Sequence, residues 1–507
     1  MNSIIQDPQV HGSIVRELSI HEASFPVYGE LSPGGGNIVV CLQLQGQLSQ
    51  DQATDGFQQL MQAEASLQVA SQWLERDARK GRREGYYFIK PNNPILPFSA
   101  EIFEGNTSEC YNEDTRKADN DFSENVSYIR TKLLNQPFKV GSLLWRAHLV
   151  SEKSIENKPQ QHCIYLCINH SISDGISVYH LMKRWLLALH PSTNISATFN
   201  EFSLPLWHYM PKRISGFLGA FRSLSIIPIF MKAQNLANNG LNFKADCNAP
   251  IAEHRCRSTY RILDKPFFSR LLKLSRSNKK SVHGLISSAL LQIFLTDNKN
   301  QGKLKNIPDK FNFPFLTTVN ARDKIQGKHN KPLNIDDAIA GCLSSGVTST
   351  VKINKKLIDV EYRKSPWQLG DQISSGIAIA LKKNQHWKVL RVYKLIGLKG
   401  LKKFLINGSE KPLATPISLA NLGPVKFDFY INRAETNNNE ILTVKGYQAY
   451  AAFHASGAGI NAVVNTLNGE LTLCLTCPDP IISQQTLDRY ADNVIDLLKD
   501  WSLLPHS

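Results

Sequence analysis

The chain has 507 residues, of which 42% are hydrophobic and 20% are charged, a composition typical of folded globular proteins that excludes a mainly disordered chain. With 58 basic residues against 43 acidic ones, the formal net charge is +15, which favours anionic partners. The sequence contains no cysteine–histidine finger spacing, basic zipper or aromatic RNA-binding signature, so we expect no nucleic acid among those partners.

The length predicts more than one folded unit, since domains usually contain roughly 100 to 200 residues. Residues 1–7 lack the basic stretch and apolar core of a secretory signal, and no uncharged apolar run reaches the roughly 18 residues that cross a bilayer. Nine cysteines, an odd number, argue against a disulfide framework. We therefore expect a cytoplasmic monomer, with peripheral contact to a membrane left open.

The first half of the chain combines strand patterns with helical apolar spacing. A Ser-x-x-Gln capping box at Ser49 marks the start of a helix. The predicted elements, in chain order, are a strand at 37–46, a helix to Met61, strands at 143–150 and 162–169 joined by a polar loop, and a helix at 176–189.

Regular patterning weakens between residues 191 and 253, where prolines recur, which is typical of a linker. We divide the chain into an N-terminal subdomain at 1–195, a linker at 196–254 and a C-terminal subdomain at 255–507. The predicted elements of the last part are strands at 258–263, 315–319, 341–353 and 469–477, and helices at 282–295 and 484–501.

His170 lies where a predicted strand passes into a predicted helix, in the segment Asn169-His170-Ser171-Ile172-Ser173-Asp174-Gly175. In a purely structural interpretation, Asp174 is the N-cap of the helix and Gly175 a turn residue. In a functional interpretation, the corner presents a near-neutral imidazole that can take a proton from an alcohol or an amine. The short motif does not choose between the two.

Further segments carry a resemblance, in the same order and spacing. The segment at 169–175 resembles the signature of condensation domains, plant acyltransferases and mycobacterial polyketide-associated acyltransferases. Four other segments are similar to motifs of the same proteins: Leu143-Leu144-Trp145-Arg146-Ala147, Ser281 to Leu290, Val319-Asn320-Ala321-Arg322-Asp323, and Ser418 to Val425. The chain thus resembles the chloramphenicol-acetyltransferase-like superfamily over most of its length.

The resemblance implies an α/β fold of two chloramphenicol-acetyltransferase-like subdomains that form a pseudo-dimer around a central tunnel. Within the superfamily, the segment at 418–425 is closest to the polyketide-associated and alcohol acyltransferases. Three features depart from other branches: Asn169 stands where condensation domains usually have a second histidine, Ala420 replaces a serine before Asn421, and the plant Asp-Phe-Gly-Trp-Gly motif is absent.

The resemblance also implies the reaction. His170 would be the general base that moves an acyl group from a thioester to an alcohol hydroxyl, forming an ester. The donor would be acyl-CoA or a phosphopantetheinyl acyl carrier protein, which is acidic; neither a bound cofactor nor a metal is implied. Two alternatives are an amide-forming condensation domain and a non-catalytic module that binds carrier proteins.

Supporting roles follow from the same resemblance. Asp174 would hold the loop through a structural ion pair, and Arg322 is the candidate partner. Gly175 would leave room for the pantetheine arm or for a tight turn. The candidate donors to the oxyanion are Ser418, Asn421 and a backbone N–H near Gly423.

Two further signals stay outside this mechanism. Cys474 and Cys477 would point to opposite faces of a strand, which argues against a metal or redox pair. The segment 386–406 alternates basic and apolar residues and could form a basic amphipathic helix. A solvated helix face, docking of a carrier protein and attachment to a membrane surface all fit this last pattern.

Overall fold

The computed structural model describes most of the chain. The described residues are 12–77, 81–103, 122–154, 159–190, 193–197, 199–229, 231, 247, 249–325, 340–409, 415–427, 442–453 and 458–505. Part of the predicted linker, including 232–246, lies outside these ranges, and the boundaries of the three predicted units stay a prediction.

Helices and strands mix in both halves of the chain. The helices are α1 (Ile20–Leu31), α2 (Gln50–Ala63), α3 (Phe122–Asn135), α4 (Gly175–Ala188), α5 (Lys212–Ser215), α6 (Phe217–Ser223), α7 (Lys265–Ser277), α8 (Val282–Asn300), α9 (Trp367–Lys382), α10 (Gln385–Ser409) and α11 (Gln484–Ser502). The strands are β1 (Gly12–Glu17), β2 (Asn37–Gln45), β3 (Ala70–Leu74), β4 (Gly85–Pro91), β5 (Phe98–Phe103), β6 (Trp145–Glu152), β7 (Gln161–Asn169), β8 (Arg255–Leu263), β9 (Lys310–Asn320), β10 (Ser344–Asn354), β11 (Thr415–Pro424), β12 (Thr443–Ala451), β13 (Ala458–Leu467) and β14 (Glu470–Asp479).

The elements predicted from periodicity are confirmed, with shifts at their ends. Helix α2 begins at the predicted capping box, where Ser49 and Gln52 each bond the other's backbone N–H. Strand β6 starts two residues later than predicted because Leu143 forms a bridge with Ala70 and the Leu144 N–H donates to Val69, outside the main sheet. Strand β10 starts late because the preceding N–H, that of Leu343, is bonded to a side chain of the site.

The first large sheet has five strands in the order β12-β2-β7-β6-β5. The pair β2 and β7 is antiparallel, with Asn37 opposite Asn169, so β7 ends beside the start of β2. Strand β12, from late in the chain, pairs with β2 and forms an edge of this sheet. The two halves of the sequence are therefore joined by a shared sheet.

The second large sheet has six strands in the order β10-β9-β11-β13-β14-β8, and a smaller sheet pairs β1, β4 and β3. In β14, Cys474 packs with the core around the first sheet, whereas Cys477 packs with the core around the second. The two thiols thus lie on opposite faces of one strand, as their spacing predicted. This strand contributes to both cores.

The segment 386–406 is helical, as its pattern predicted, and belongs to α10. The helix kinks at Gly397, whose φ of 67° lies in the left-handed region that glycine adopts easily. Beyond the kink, Lys399 and Lys402 form ion pairs with Glu84 and Glu30 of the N-terminal half. Among the helices that the structure describes, none is both long enough and apolar enough to span a bilayer.

Candidate active site

The candidate site lies at the end of β7, in a short turn whose backbone is closely held. The His170 N–H donates to the Gly36 carbonyl at 2.8 Å, and the Ile172 N–H donates to the Asn169 carbonyl at 3.1 Å. The Asn169 side chain also accepts the Ser171 N–H at 3.0 Å. Five residues separate the last residue of β7 from the first of α4, so His170 stands at the predicted strand-to-helix corner.

The His170 imidazole is held in place by its neighbours. The ring of Phe25, from α1, stacks on it with centroids 4.4 Å apart and planes 12° apart. Removal from water lowers the pKa of His170, while the Asp174 charge and the backbone carbonyls of His170 and Ser173 oppose this shift. Burial thus favours the neutral imidazole, which is the form that can accept a proton.

Asp174 caps α4 with one carboxylate oxygen and anchors it with the other. Its Oδ1 accepts the Ser177 N–H at 2.9 Å, as expected of an N-cap. Its Oδ2 accepts hydrogen bonds from Arg322 Nη1 and from the Leu343 N–H, each at 2.9 Å. The structural and the supporting interpretations of Asp174 therefore describe the same side chain.

The pair of Asp174 and Arg322 is buried, with 1% of each residue exposed. Arg322 Nη2 donates to Ser177 Oγ at 2.6 Å, and Ser177 Oγ in turn donates to the Gly341 carbonyl at 3.0 Å. Burial disfavours the Asp174 carboxylate, but the charge and hydrogen bond of Arg322 outweigh it and hold the pKa of Asp174 below its ordinary value. This network ties the N-terminus of α4 to the loops around β9 and β10.

The space next to Gly175 is occupied by a side chain from the C-terminal half. A Cβ added to Gly175 would lie 2.7 Å from Leu422 Cδ2. Glycine thus permits the end of β11 to approach the first turn of α4. The Tyr179 hydroxyl strengthens this approach by donating to the Lys426 carbonyl and accepting the Lys426 N–H, both at 2.9 Å.

The candidate oxyanion donors of the segment 418–425 differ in availability. Ser418 Oγ donates to Asn461 Oδ1 at 2.7 Å, and the Gly423 N–H donates to Asn421 Oδ1 at 2.9 Å. Asn421 is exposed, and its Nδ2 forms no hydrogen bond with the part of the chain that the structure describes. All three roles stay predictions, and Asn421 Nδ2 is the donor that is not already bonded to another described residue.

Three residues near His170 were missed by the sequence interpretation: His21, Phe25 and Cys342. The Cys342 Sγ lies 3.7 Å from the Nδ1 atoms of both His21 and His170. Burial and the nearby His170 lower the pKa of His21 to about 3. Burial, together with the charges of Asp174 and Glu22, raises the pKa of Cys342, so this thiol stays protonated.

A sequence signal existed for part of this cluster. Ser19 and Glu22 form a capping box at the start of α1, the helix that carries His21 and Phe25. The helix contains Pro26, and because proline usually ends a helix, the sequence around it does not indicate one. Cys342 carries no such signal, because it lies outside the helices and strands and approaches His170 only through tertiary packing.

A cavity of about 390 Å³ adjoins the site at Asn169, the residue before His170. Its walls include Trp73, Tyr86 and Phe138, with backbone contributed by Gly34 and Gly35. The volume lies within the range of small-molecule sites, roughly 300 to 1,000 Å³. His170 itself does not line this cavity.

No protein-family model matches the chain, and no curated protein matches it by sequence. Solved structures do match it over nearly its whole length. The trichothecene 15-O-acetyltransferase from Fusarium sporotrichioides is 12% identical, with a TM-score of 0.66, covering 96% of this chain and 95% of that one. The first condensation domain of the calcium-dependent antibiotic synthetase is 11% identical, with a TM-score of 0.64, covering 99% and 98%.

A third similar structure is polyketide synthase associated protein 5 from Mycobacterium tuberculosis, 13% identical, with a TM-score of 0.55, covering 97% of this chain and 99% of that one. Identities this low establish similarity of fold and not of activity. The fold agrees with the superfamily that the sequence motifs resemble. The chain therefore has the fold shared by chloramphenicol-acetyltransferase-like acyltransferases and condensation domains.

Proposed function

We propose that this protein transfers an acyl group from a thioester to an alcohol hydroxyl, with His170 as the general base. The observation that carries the proposal is an imidazole stacked on Phe25 at a corner that is held by the buried ion pair of Asp174 and Arg322. Burial lowers the pKa of this ring, which favours its unprotonated form. An unprotonated imidazole at neutral pH is what proton removal from a hydroxyl requires. The similar structures support the proposal, since one of them is named as an O-acetyltransferase.

The proposed reaction needs no covalent intermediate with the enzyme. His170 takes the hydroxyl proton as the oxygen attacks the thioester carbonyl, and collapse of the tetrahedral intermediate breaks the carbon–sulfur bond. The departing thiolate then takes the proton from the imidazolium, which restores the base. Asn421 Nδ2 is the proposed donor to the oxyanion.

The carrier of the acyl group is coenzyme A or the phosphopantetheine arm of an acyl carrier protein, which acts as a co-substrate. The high positive charge of the chain suits either of these anionic donors. The second candidate function is amide formation with an amine acceptor, because a condensation domain matches the fold nearly as well as the acetyltransferase does.

Acyl transfer from a panel of acyl-CoA and acyl-carrier thioesters to alcohols and amines tests these alternatives directly. We expect esters to form, and His170→Ala to lower kcat/KM by about 10²- to 10⁴-fold, the usual contribution of general base catalysis. His170→Gln is the matched control for the volume of the ring. Equal rates for wild type and both variants would exclude His170 as the base, and faster reaction with amines would favour the condensation reaction.

A further inference from the structure

One helical segment of the predicted linker exposes its large apolar side chains to solvent. Phe217, Leu218 and Phe221 of α6 are 78%, 66% and 62% exposed. The helical path continues past α6, and the exposed apolar positions continue with it. We call this set the apolar ridge: Phe217, Leu218, Phe221, Leu224, Ile227 and Met231.

The inward face of α6 is made of small residues. Gly219 and Ser223 are buried there, and the larger Ile226 is buried just beyond the end of the helix. A Cβ added to Gly219 would lie 2.2 Å from the Ile214 carbonyl oxygen, so α6 packs closely on α5. A water-facing surface helix has the opposite arrangement, with large apolar residues inside. Close packing of the small residues therefore fixes the apolar ridge in its outward position.

Three cations flank the apolar ridge. Arg222 lies on the exposed face of α6, and Lys383 and Lys388 come from the end of α9 and the start of α10. Lys388 Nζ donates to Ser225 Oγ at 3.0 Å, which places it against the ridge segment. Burial and the charges of Lys383 and Arg222 lower the pKa of Lys388, so the three groups are close neighbours. We call them the basic cluster.

The basic cluster has no acidic counterpart in the part of the chain that the structure describes. Its members form no ion pair there, whereas Lys399 and Lys402, farther along the same helix, are each paired with a glutamate. Adjacent cations without a carboxylate repel one another, and an anionic surface relieves this repulsion.

We infer that the apolar ridge and the basic cluster dock this protein on the surface of an anionic phospholipid bilayer. The apolar ridge enters the boundary between headgroups and acyl chains, where amphipathic helices bury an apolar face, and the basic cluster contacts lipid phosphates. An acidic carrier protein would satisfy the cations but would leave six large apolar side chains without a function. The combination of both features favours the bilayer.

The docking surface is connected to the candidate active site. Ile214, directly before the segment, packs in one buried cluster with Ala321 and Leu343. Ala321 precedes Arg322 in sequence, and Leu343 donates its N–H to Asp174. The docking surface therefore rests on residues that hold the buried ion pair.

Co-sedimentation of the full-length protein with vesicles tests the inference. Vesicles of phosphatidylcholine and phosphatidylglycerol in equal amounts are compared with vesicles of phosphatidylcholine alone. We expect the wild type to bind the anionic vesicles at least about tenfold more tightly, with affinity falling as salt is added, because exposed charges are screened. Phe217→Ser/Phe221→Ser and Arg222→Gln/Lys388→Gln should each weaken binding by about tenfold or more.

The matched control is Ile95→Ser/Val360→Ser, which removes two exposed apolar side chains elsewhere and should change binding less than twofold. All substituted positions except Lys388 are exposed, and circular dichroism verifies that each variant is folded. Acyl transfer between water-soluble substrates without vesicles should be equal in all four proteins, and His170→Ala should still bind vesicles. This separates failure of docking from failure of the proposed function.

Three results would overturn the inference. The first is a wild type that binds neither kind of vesicle, and the second is a Phe217→Ser/Phe221→Ser variant that binds as tightly as the wild type. The third is loss of binding to an acidic acyl carrier protein in the same variants without any binding of vesicles. That last result would assign the surface to a protein partner instead.

Discussion

The two sides of the candidate site, the corner at His170 and the end of β11, differ in how their polar groups are used. At the corner, both oxygens of Asp174 and both terminal nitrogens of Arg322 are bonded inside the protein, and both residues are buried. At the end of β11, Asn421 is exposed, and its amide nitrogen forms no hydrogen bond with the described chain. The corner is thus fixed by internal bonds, whereas the β11 side keeps one amide nitrogen without a described partner; we call them the fixed side and the adaptable side.

The largest effect on stability should come from a substitution that removes the buried ion pair of the fixed side. Arg322→Ala leaves the Asp174 carboxylate buried without its cation, so we expect the free energy of unfolding to fall by about 3 to 5 kcal/mol. Denaturant titration measures it. The matched control is Arg261→Ala, which removes ion pairs with the partly exposed Asp488 and Asp492 and should cost about 1 kcal/mol or less. Similar losses in the two variants would mean that the buried pair is not what holds the corner.

On the adaptable side, Asn421→Ala should lower kcat by about 10²-fold with little change in folding stability, the effect of removing one donor from an oxyanion. Ser418→Ala is the control, and we expect less than a threefold change because Ser418 already donates to Asn461. Steady-state kinetics of both variants give the comparison. A larger effect at Ser418 would reverse the assignment of the donor.

The pH dependence of activity probes the fixed side without a substitution. Because the pKa of His170 is lowered, kcat/KM should stay constant down to pH 6.5 and then fall about tenfold per unit below the shifted value, equivalent to about 1.4 kcal/mol per unit. A pH–rate profile from pH 4 to 8 measures this limb. An acidic limb centred above pH 6.5 would contradict a desolvated base.

Folding stability should respond to pH through His21. The folded-state pKa of His21 is about 3, below the ordinary value of 6.5. Between these two pH values the ring takes up a proton in the unfolded chain but not in the folded chain. The stability contributed by the neutral ring is therefore complete above pH 6.5 and is lost as the pH falls toward 3. Unfolding midpoints of wild type and His21→Gln across this pH range measure the contribution of His21 to the pH dependence of stability. This contribution should be absent in the variant.

The smallest effect concerns the contact that joins the two sides. Gly175→Ala places a methyl group against Leu422 Cδ2, the movable end of a side chain, so we expect a loss of about 1 kcal/mol in stability. Leu422→Ala in the same chain should restore most of this loss if the two residues compete for one space. A double variant no better than Gly175→Ala would place the conflict in the backbone of α4 instead.

Local periodicity predicted about half of the regular elements that the structure describes, those whose single buried face carries its pattern in the sequence. The helix α11 was predicted over 484–501 and extends over Gln484–Ser502. The corner at His170 was predicted in the same way, from a strand pattern that ends where a helical pattern begins. The tertiary neighbours of that corner were less accessible. The proximity of Arg322 to Asp174, 148 positions apart, was inferred from resemblance, since no local pattern encodes it.

Other features of the structure could not be predicted from any local sequence pattern. Cys342 comes to His170 through packing of distant segments, and the pairing of β12 with β2 depends on a contact between residues some 400 positions apart. Helix α1 was missed for a different reason: its capping box at Ser19 is followed by Pro26, and a proline inside a pattern argues against a helix. Sequence patterns report local preferences, whereas these features follow from long-range contacts.

The pairing of β12 with β2 has a consequence for how the protein can be made. Synthesis proceeds from the N-terminus, and domains generally fold as units when their parts are available. The first sheet lacks its edge strand until Ala451 has been added to the chain. A fragment that stops after β8 would expose the edge of β2, and an open edge is a template for aggregation. The N-terminal half is therefore a poor candidate for separate expression, and coexpression of two fragments should require that the second one carry β12.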